Sequence, residues 1–306
     1  MSPSGRPRLA LTLGDPRGIG PEVVAAALAL GPAAADIVLV GPDDLLAGIP
    51  ARSRLGVGEW GLGTGDSGDP ERELAAGRLA ARAIERAVWL ARAGEVDAVV
   101  TAPVHKGALH RAGYRYPGVT EFLGALTGGT DTVMMLVTGA LRVALVTTHL
   151  PLREALTQIT ADRVVRVGET VLTALRDRFG IPSPRVALCA LNPHAGEGGL
   201  FGDEDQQVLL PAARRLGALG PFPADTVFVR ALRGEFDVVL APYHDVGMTA
   251  VKVAGFGSGV NVTLGLPFVR TSPDHGTAFD IAGTGKADPG SMRAAIDLAA
   301  RIARRS

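Results

Sequence analysis

Short apolar runs alternate with longer amphipathic stretches along this chain. Eight runs, at 9–13, 36–40, 98–101, 133–137, 143–147, 186–191, 238–241 and 260–264, are dominated by Val, Leu, Ile and Ala and give way to Gly, Pro or polar residues. That pattern predicts strands buried on both faces. Helices are predicted over 21–30, 70–93, 163–179, 203–219 and 291–304. The second is the clearest: Asp69 can cap it, Pro70 suits its first position and Gly94 ends it. Ile84, Val88 and Ala91 form its apolar face, while Arg78, Arg82, Glu85 and Arg86 occupy the others. Strand–helix alternation predicts an α/β fold with a largely parallel sheet. Glycines near 128–129 and the polar stretch near 270–272 suggest two subdomains, 1–128 plus 271–306 and 129–270.

Composition narrows the function. The 306 residues are 47% hydrophobic and 20% charged, so a core can form and a disordered chain is excluded. Lys+Arg and Asp+Glu cancel at 31 each, leaving no basic field for nucleic acid or an anionic membrane. No run reaches the ~20 apolar residues of a membrane span. The first apolar run, 9–13, is too short for a signal peptide. A single cysteine, Cys189, forms no internal disulfide, and a cytoplasmic enzyme is expected. Lysine and asparagine are rare against the arginine-rich background, yet Lys106, Asn192, Lys252 and Asn261 all fall in polar, glycine-rich segments.

Candidate chemistry lies at the ends of the predicted strands. Residues 56–61 and 63–68 both fit G-x-G-x-x-G, but neither follows a convincing apolar strand and neither opens a helix, so both read as ordinary loops rather than a Rossmann fingerprint. His149, His194 and His244 each follow a strand-like run. Three imidazoles can hold a divalent ion with positions open for substrate. Their spacings of 45 and 50 residues match no local zinc motif, so spacing alone favours capped or hydrogen-bonded loop histidines over a metal site. Lys252, Asn261 and Arg270 straddle the glycine-rich residues 255–259. They read either as a phosphate or carboxylate site or as unrelated surface residues.

Six segments in order carry a family resemblance: GDPRGIGPE at 14–22, TAPVHK at 101–106, TTHLP at 147–151, NPHAGE at 192–197, YHD at 243–245 and DHGTA at 274–278. Together they resemble the 4-hydroxythreonine-4-phosphate dehydrogenase (PdxA) family of vitamin B6 synthesis, within the isocitrate and isopropylmalate dehydrogenase superfamily. The resemblance implies two α/β/α subdomains with a cleft between them. It implies a homodimer with its active site at the subunit interface, where a divalent metal (Zn, Mg or Co) is held by His149, His194 and His244 supplied from both subunits. Thr120, Asp225, Lys252, Asn261 and Arg270 take the positions of substrate contacts. NAD or NADP would lie on His275, Gly276, Thr277 and Ala278, with Asp288 further along. Lys106 and Asp245 are the candidates to take the hydroxyl proton.

The implied reaction is oxidation of the secondary hydroxyl of 4-phosphohydroxy-L-threonine, then decarboxylation of the 3-keto acid. Two positions depart from the family pattern. Val119 stands in Gly-Val-Thr-Glu where the family usually has His, and Val246 in Tyr-His-Asp-Val-Gly where it usually has Gln. Loss of polar groups beside a site changes discrimination strongly. A paralogue acting on another four-carbon phosphorylated hydroxy acid or on a dihydrodiol is therefore an alternative. A two-lobed ligand-binding pseudo-enzyme is the alternative outside catalysis.

Overall fold

The computed structural model of the protein describes residues 5–31, 33–129, 131–255 and 257–304. Along the chain run β1 (Arg8–Thr12), α1 (Gly20–Ala29), β2 (Asp36–Gly41), α2 (Asp43–Leu46), β3 (Ser53–Gly56), α3 (Pro70–Arg92), β4 (Ala98–Thr101), α4 (Lys106–Arg111) and α5 (Val119–Leu126). There follow β5 (Val133–Thr138), β6 (Leu141–Leu145), α6 (Leu152–Gln158), α7 (Ala161–Asp177), β7 (Val186–Cys189), α8 (Leu210–Leu216), β8 (Leu219–Phe222), α9 (Ala224–Leu232), β9 (Val238–Ala241) and α10 (His244–Gly255). The chain closes with β10 (Val260–Leu264), β11 (Val269–Pro273) and α11 (Gly290–Ala303). Two compact units result, Met1–Thr132 with Val260–Ser306, and Val133–Gly259.

In the first unit the strand order is β3-β2-β1-β4-β11-β10, parallel except for β10 against β11. Ala10, Val40 and Val99 face Ile84, Ala87 and Val88 of α3 and Phe122 and Leu123 of α5. On the other face α11 packs on β11, and the Thr271 hydroxyl donates to the Ala295 carbonyl at 2.8 Å. The second unit has the order β5-β6-β9-β7-β8, with only β5 and β6 antiparallel. One face carries Val143, Leu145, Ala187, Cys189, Val239 and Ala241 against Val227 and Phe228 of α9 and Val251 of α10. Ala144, Leu188 and Leu240, which alternate with them, are just as buried, so both faces are covered. Among the described residues no helix is long and apolar enough to cross a membrane.

Several expectations are corrected. The chain returns to the first unit at Val260, not near 271, because β10 hydrogen-bonds to β11. β3 and β8 are edge strands with half-exposed, polar or glycine-containing sequences, so they carry little apolar signal. The G-x-G-x-x-G at 56–61 does begin at the end of β3, yet no helix opens on it. β11 reads VRTSP and is buried throughout, a strand hidden by the polar residues it delivers to a site. The helix expected over 203–219 is broken: Leu210 N–H reaches back five residues to the Asp205 carbonyl, a wide turn, before α8 begins. α8 stops at Gly217 in the left-handed conformation.

Candidate active site

In the first unit, register alone assembles a polar cluster. Thr12 pairs with Thr101, Arg270 with both Val99 and Thr263, and Asn261 with Ser272. Paired residues share a face, so Thr12, Thr101, Thr263, Asn261 and Arg270 project to the side of Ala10 and Val99. That face is apolar beneath α3 and α5 and turns polar at the C-terminal ends of β1 and β4. There the strand order reverses, which is where open α/β sheets place ligands.

Arg270 is the centre of this cluster and only 3% exposed. Its Nε and Nη2 donate to Thr101 Oγ1 at 3.2 and 2.6 Å, and its Nη1 donates to Thr263 Oγ1 at 2.8 Å. Burial pushes the guanidinium down to about 10, against a weaker upward pull from the Glu121 charge. Asn261 Oδ1, Glu121 Oε2 and Thr12 Oγ1 are buried close to the same strands and helix without a hydrogen-bond partner. Thr120, 8% exposed, lies in the first turn of α5, and Lys106 opens α4 on the surface. Val119 packs against the apolar cluster around Phe122, so its alkyl group has apolar neighbours.

The segment 275–285 is fastened to the first motif. Ile19 N–H donates to the Thr277 carbonyl at 2.9 Å, and Gly283 N–H donates to Glu22 Oε2 at 2.7 Å. A Cβ at Gly18 would stand 2.7 Å from the Thr277 oxygen, so this approach requires glycine. His275 Nδ1 lies 3.1 Å from the Gly276 carbonyl, while its buried Nε2 has no partner. Ala278 adopts a left-handed φ of 42°. Arg17, 1% exposed, forks onto Asp15 at 3.1 and 2.9 Å and lies 4.8 Å from the centre of the Phe279 ring. The glycine loop 63–68 joins the same assembly: Gly65 N–H donates to the Arg17 carbonyl at 2.7 Å and the Thr64 hydroxyl to the Ala282 carbonyl at 3.4 Å. It is not a free loop but the neighbour of segment 275–285. Asp288 uses Oδ1 to accept Gly290 N–H at 2.8 Å and so starts α11.

In the second unit β6, β9 and β7 are adjacent and parallel, and the three histidines follow their C-terminal ends. The buried Thr147 hydroxyl donates to the Pro242 carbonyl at 2.9 Å and ties the loop after β6 to the loop after β9. The His149 and His244 ring centres are consequently 5.4 Å apart. Two imidazoles on one zinc-like ion stand about 5 Å apart, so this pair fits one. His244 Nδ1 is 2.7 Å from Asp245 Oδ1, which places its proton on Nδ1 and frees Nε2. Asp245 is thus an orienting carboxylate for His244 and not an uncommitted base. His194 follows β7 on a left-handed turn and has Phe201 as its ring neighbour at 6.1 Å. Among the described residues no three His, Cys, Asp or Glu side chains gather closely enough to hold an ion.

The remaining positions are dispersed. Asp225 is exposed in the first turn of α9, Val246 packs on the apolar cluster of its unit, and Lys252 lies in α10. Lys252 belongs to the second unit, and Asn261 and Arg270 belong to the first. In the glycine-rich 255–259 stretch, Ser258 Oγ donates to the Gly255 carbonyl at 3.1 Å and lies 3.1 Å from Thr138 Oγ1. Phe256 lies outside the described residues. The Cys189 thiol is pushed up to about 12 by burial and the nearby Asp205, which removes it as a nucleophile. Sequence reasoning passed over Thr101, Thr263 and Asp205. Thr101 could have been found at the head of TAPVHK, but the other two carry no local signal.

Known proteins resemble this chain in sequence and fold. The family model described as "Pyridoxal phosphate biosynthetic protein PdxA" matches residues 64–299. A D-threonate 4-phosphate dehydrogenase of Pectobacterium atrosepticum is 43% identical over 96% of this chain and 99% of its own length. A 4-hydroxythreonine-4-phosphate dehydrogenase of Bradyrhizobium diazoefficiens is 42% identical over 96% of each chain. The crystal structure of a 4-hydroxythreonine-4-phosphate dehydrogenase from Klebsiella pneumoniae superposes with a TM-score of 0.86 at 42% identity, covering 98% of both chains. The motifs read from the sequence and the fold that carries them place this chain in the PdxA family of dehydrogenases.

Proposed function

We propose that the protein oxidises the secondary hydroxyl of a four-carbon phosphorylated hydroxy acid with NAD or NADP, 4-phosphohydroxy-L-threonine foremost, and that the 3-keto product then loses carbon dioxide. The observation that carries this reading is Arg270, a buried cation whose side-chain hydrogen bonds among the described residues go to hydroxyls. Such a charge is stabilised by an arriving anion, and the planar guanidinium suits a phosphate or carboxylate. Asn261 Oδ1, already desolvated, would accept from a substrate hydroxyl or amine. Thr120 and Lys252 would hold the remaining polar groups.

His149 and His244 would hold the divalent ion, with His194 completing the set across a homodimer. An all-imidazole set suits zinc or cobalt better than magnesium. When bound, that ion supplies Lewis acidity toward the substrate hydroxyl, and the nicotinamide on segment 275–285 supplies the hydride acceptor. Asp245 keeps the His244 proton on Nδ1. With Asp245 so committed, Lys106 is the remaining candidate to take the hydroxyl proton. Arg270 fixes the distance between the reacting carbon and the cofactor segment of the same unit. The buried, unpaired thiol of Cys189 is compatible with a reducing cytoplasm.

D-threonate 4-phosphate is the second substrate reading. A relative named for that substrate is 43% identical over 96% of this chain, and Val119, packed on an apolar cluster, removes an imidazole that the family usually offers. The deciding experiment follows nicotinamide reduction with added metal across 4-phosphohydroxy-L-threonine, D-threonate 4-phosphate and their unphosphorylated forms. Turnover of phosphorylated acids only is expected. Equal turnover of the unphosphorylated forms would overturn the role of Arg270, and binding without turnover would establish the pseudo-enzyme.

A further inference from the structure

We propose that Asp205 is a positioning residue that holds the His194 imidazole where a metal ion can reach it. The inference rests on the reading of His194 as a metal ligand.

The segment carrying His194 is costly to form. Its φ angles from His194 to Gly198 are 52°, 56°, 78°, 40° and 68°, five successive residues in the left-handed region, three of them not glycine. Each non-glycine residue there costs about 1–2 kcal/mol. Such a conformation persists only when its surroundings over-determine it. The surroundings are built around one carboxylate. Asp205 is fully buried. Its Oδ1 accepts Leu191 N–H at 2.8 Å and its Oδ2 accepts Asn192 N–H at 3.0 Å. These are the last two amides before Pro193, so the carboxylate fixes the peptide planes from which the left-handed turn departs.

The far side is closed as well. Phe201 N–H donates to the Gly196 carbonyl at 3.1 Å, and a Cβ at Gly196 would stand 2.8 Å from the Gly202 oxygen. Asn192 Nδ2 donates to Glu204 Oε2 at 2.7 Å. Asp205 itself sits at the start of the wide turn whose carbonyl accepts from Leu210 N–H, a local irregularity that rotates the carboxylate out of register with α8. A regular helix continued back from α8 would not present it in the same way. Residues 197–200 of the loop stay exposed, so these contacts bury little apolar surface there. The construction serves the placement of the loop.

The test reads metal affinity, not turnover. Zinc is titrated into the metal-free full-length protein against a chromophoric chelator, for wild type, Asp205→Asn, His194→Ala and Val227→Ala. Asp205→Asn keeps the shape but turns one acceptor into a donor facing an amide. It is expected to weaken zinc binding about 10–100-fold and to accelerate amide exchange at Leu191 and Asn192. Val227→Ala, in the core of the same unit, lowers stability and should leave zinc affinity unchanged, which separates positioning from general loosening. Wild-type affinity in Asp205→Asn with lost affinity in His194→Ala would overturn the proposal alone. Wild-type affinity in both would overturn the His194 reading beneath it. If Asp205→Asn does not fold, Asp205→Ser, which keeps one acceptor, is read in the same way. Failure of both to fold would assign Asp205 to the fold only and overturn the proposal.

Discussion

Two buried arginines in the first unit invite comparison. Arg17, in the loop after β1, and Arg270, within β11, are 1% and 3% exposed. Arg17 meets a buried carboxylate, Asp15, through two parallel hydrogen bonds, with Asp66 a further 3.5 Å from its Nη1. Its charge is met by carboxylates: burial lowers its pKa, but the hydrogen bonds and charge of Asp15 with the charges of Asp66 and Glu73 hold it above the ordinary value. Arg270 meets two threonine hydroxyls and is held well below it, at about 10. The same side chain is thus a strut in one place and a waiting anion receptor in the other. Burial does not distinguish them; the chemistry of the partner does.

The largest effect should come from Arg270→Met. It removes the anion receptor, and kcat/KM for the phosphorylated substrate is expected to fall at least about a thousandfold, or roughly 4 kcal/mol. Stability should hold or rise, because a desolvated cation is replaced by an apolar chain of similar length. A Tm that drops by many degrees would place Arg270 among the structural residues. Arg17→Met should do the reverse. It strands the Asp15 carboxylate in the interior, at a cost of about 3–5 kcal/mol seen in denaturant unfolding. A neutral result there would break the contrast.

The contrast was only partly legible in the sequence. Apolar runs located the strands of both units, because parallel buried strands need little besides Val, Leu, Ile and Ala. They missed β11, where Arg270, Thr271 and Ser272 interrupt the apolar pattern for the sake of the site. Arg270 was singled out beside the glycine-rich stretch and again by the family resemblance, but its partners Thr101 and Thr263 were not, because strand register brings them together from 169 and 7 residues away. The strand-end histidines were visible, but the 5.4 Å approach of His149 to His244 depends on Thr147 and Pro242 joining two loops. That pairing also changes which lesions should complement. Mixed dimers of His149→Ala with His194→Ala are expected to recover activity if His194 serves the partner's site. His149→Ala with His244→Ala are not, since one chain supplies both.

A smaller effect sharpens the Arg270 side. Its lowered pKa means that folding disfavours the charged form, a cost of about 3 kcal/mol at neutral pH. The sign follows from proton counting: between about 10 and the ordinary 12.5 the unfolded chain binds more protons, so this group favours the folded state increasingly as pH rises through that window. An anion beside the guanidinium removes part of the cost at neutral pH. Inorganic phosphate at ten times its dissociation constant should stabilise wild type by about 1.4 kcal/mol, read as a rise in Tm, and Arg270→Met should not respond. An equal rise in both proteins would show a general salt effect and no receptor.

The smallest expected effect tests whether the second unit also stores cost at its site. Ala195 has φ 56° and ψ 41°, a left-handed conformation that an L side chain adopts at about 1–2 kcal/mol. Ala195→Gly removes that penalty and adds roughly 0.4–1 kcal/mol of unfolded-state entropy in the opposite direction. The residue is half-buried and loses only a methyl group, so little packing is lost. The net gain should be about 0.5–1 kcal/mol, measured as a higher denaturant midpoint with an unchanged slope. If the turn is strained in order to aim His194, the same substitution should also loosen the aim, lowering zinc affinity while raising stability. Stability and affinity moving in opposite directions would put this loop in the same class as Arg270, a cost kept for a ligand. Both rising together would mean that the left-handed turn is tolerated and not used.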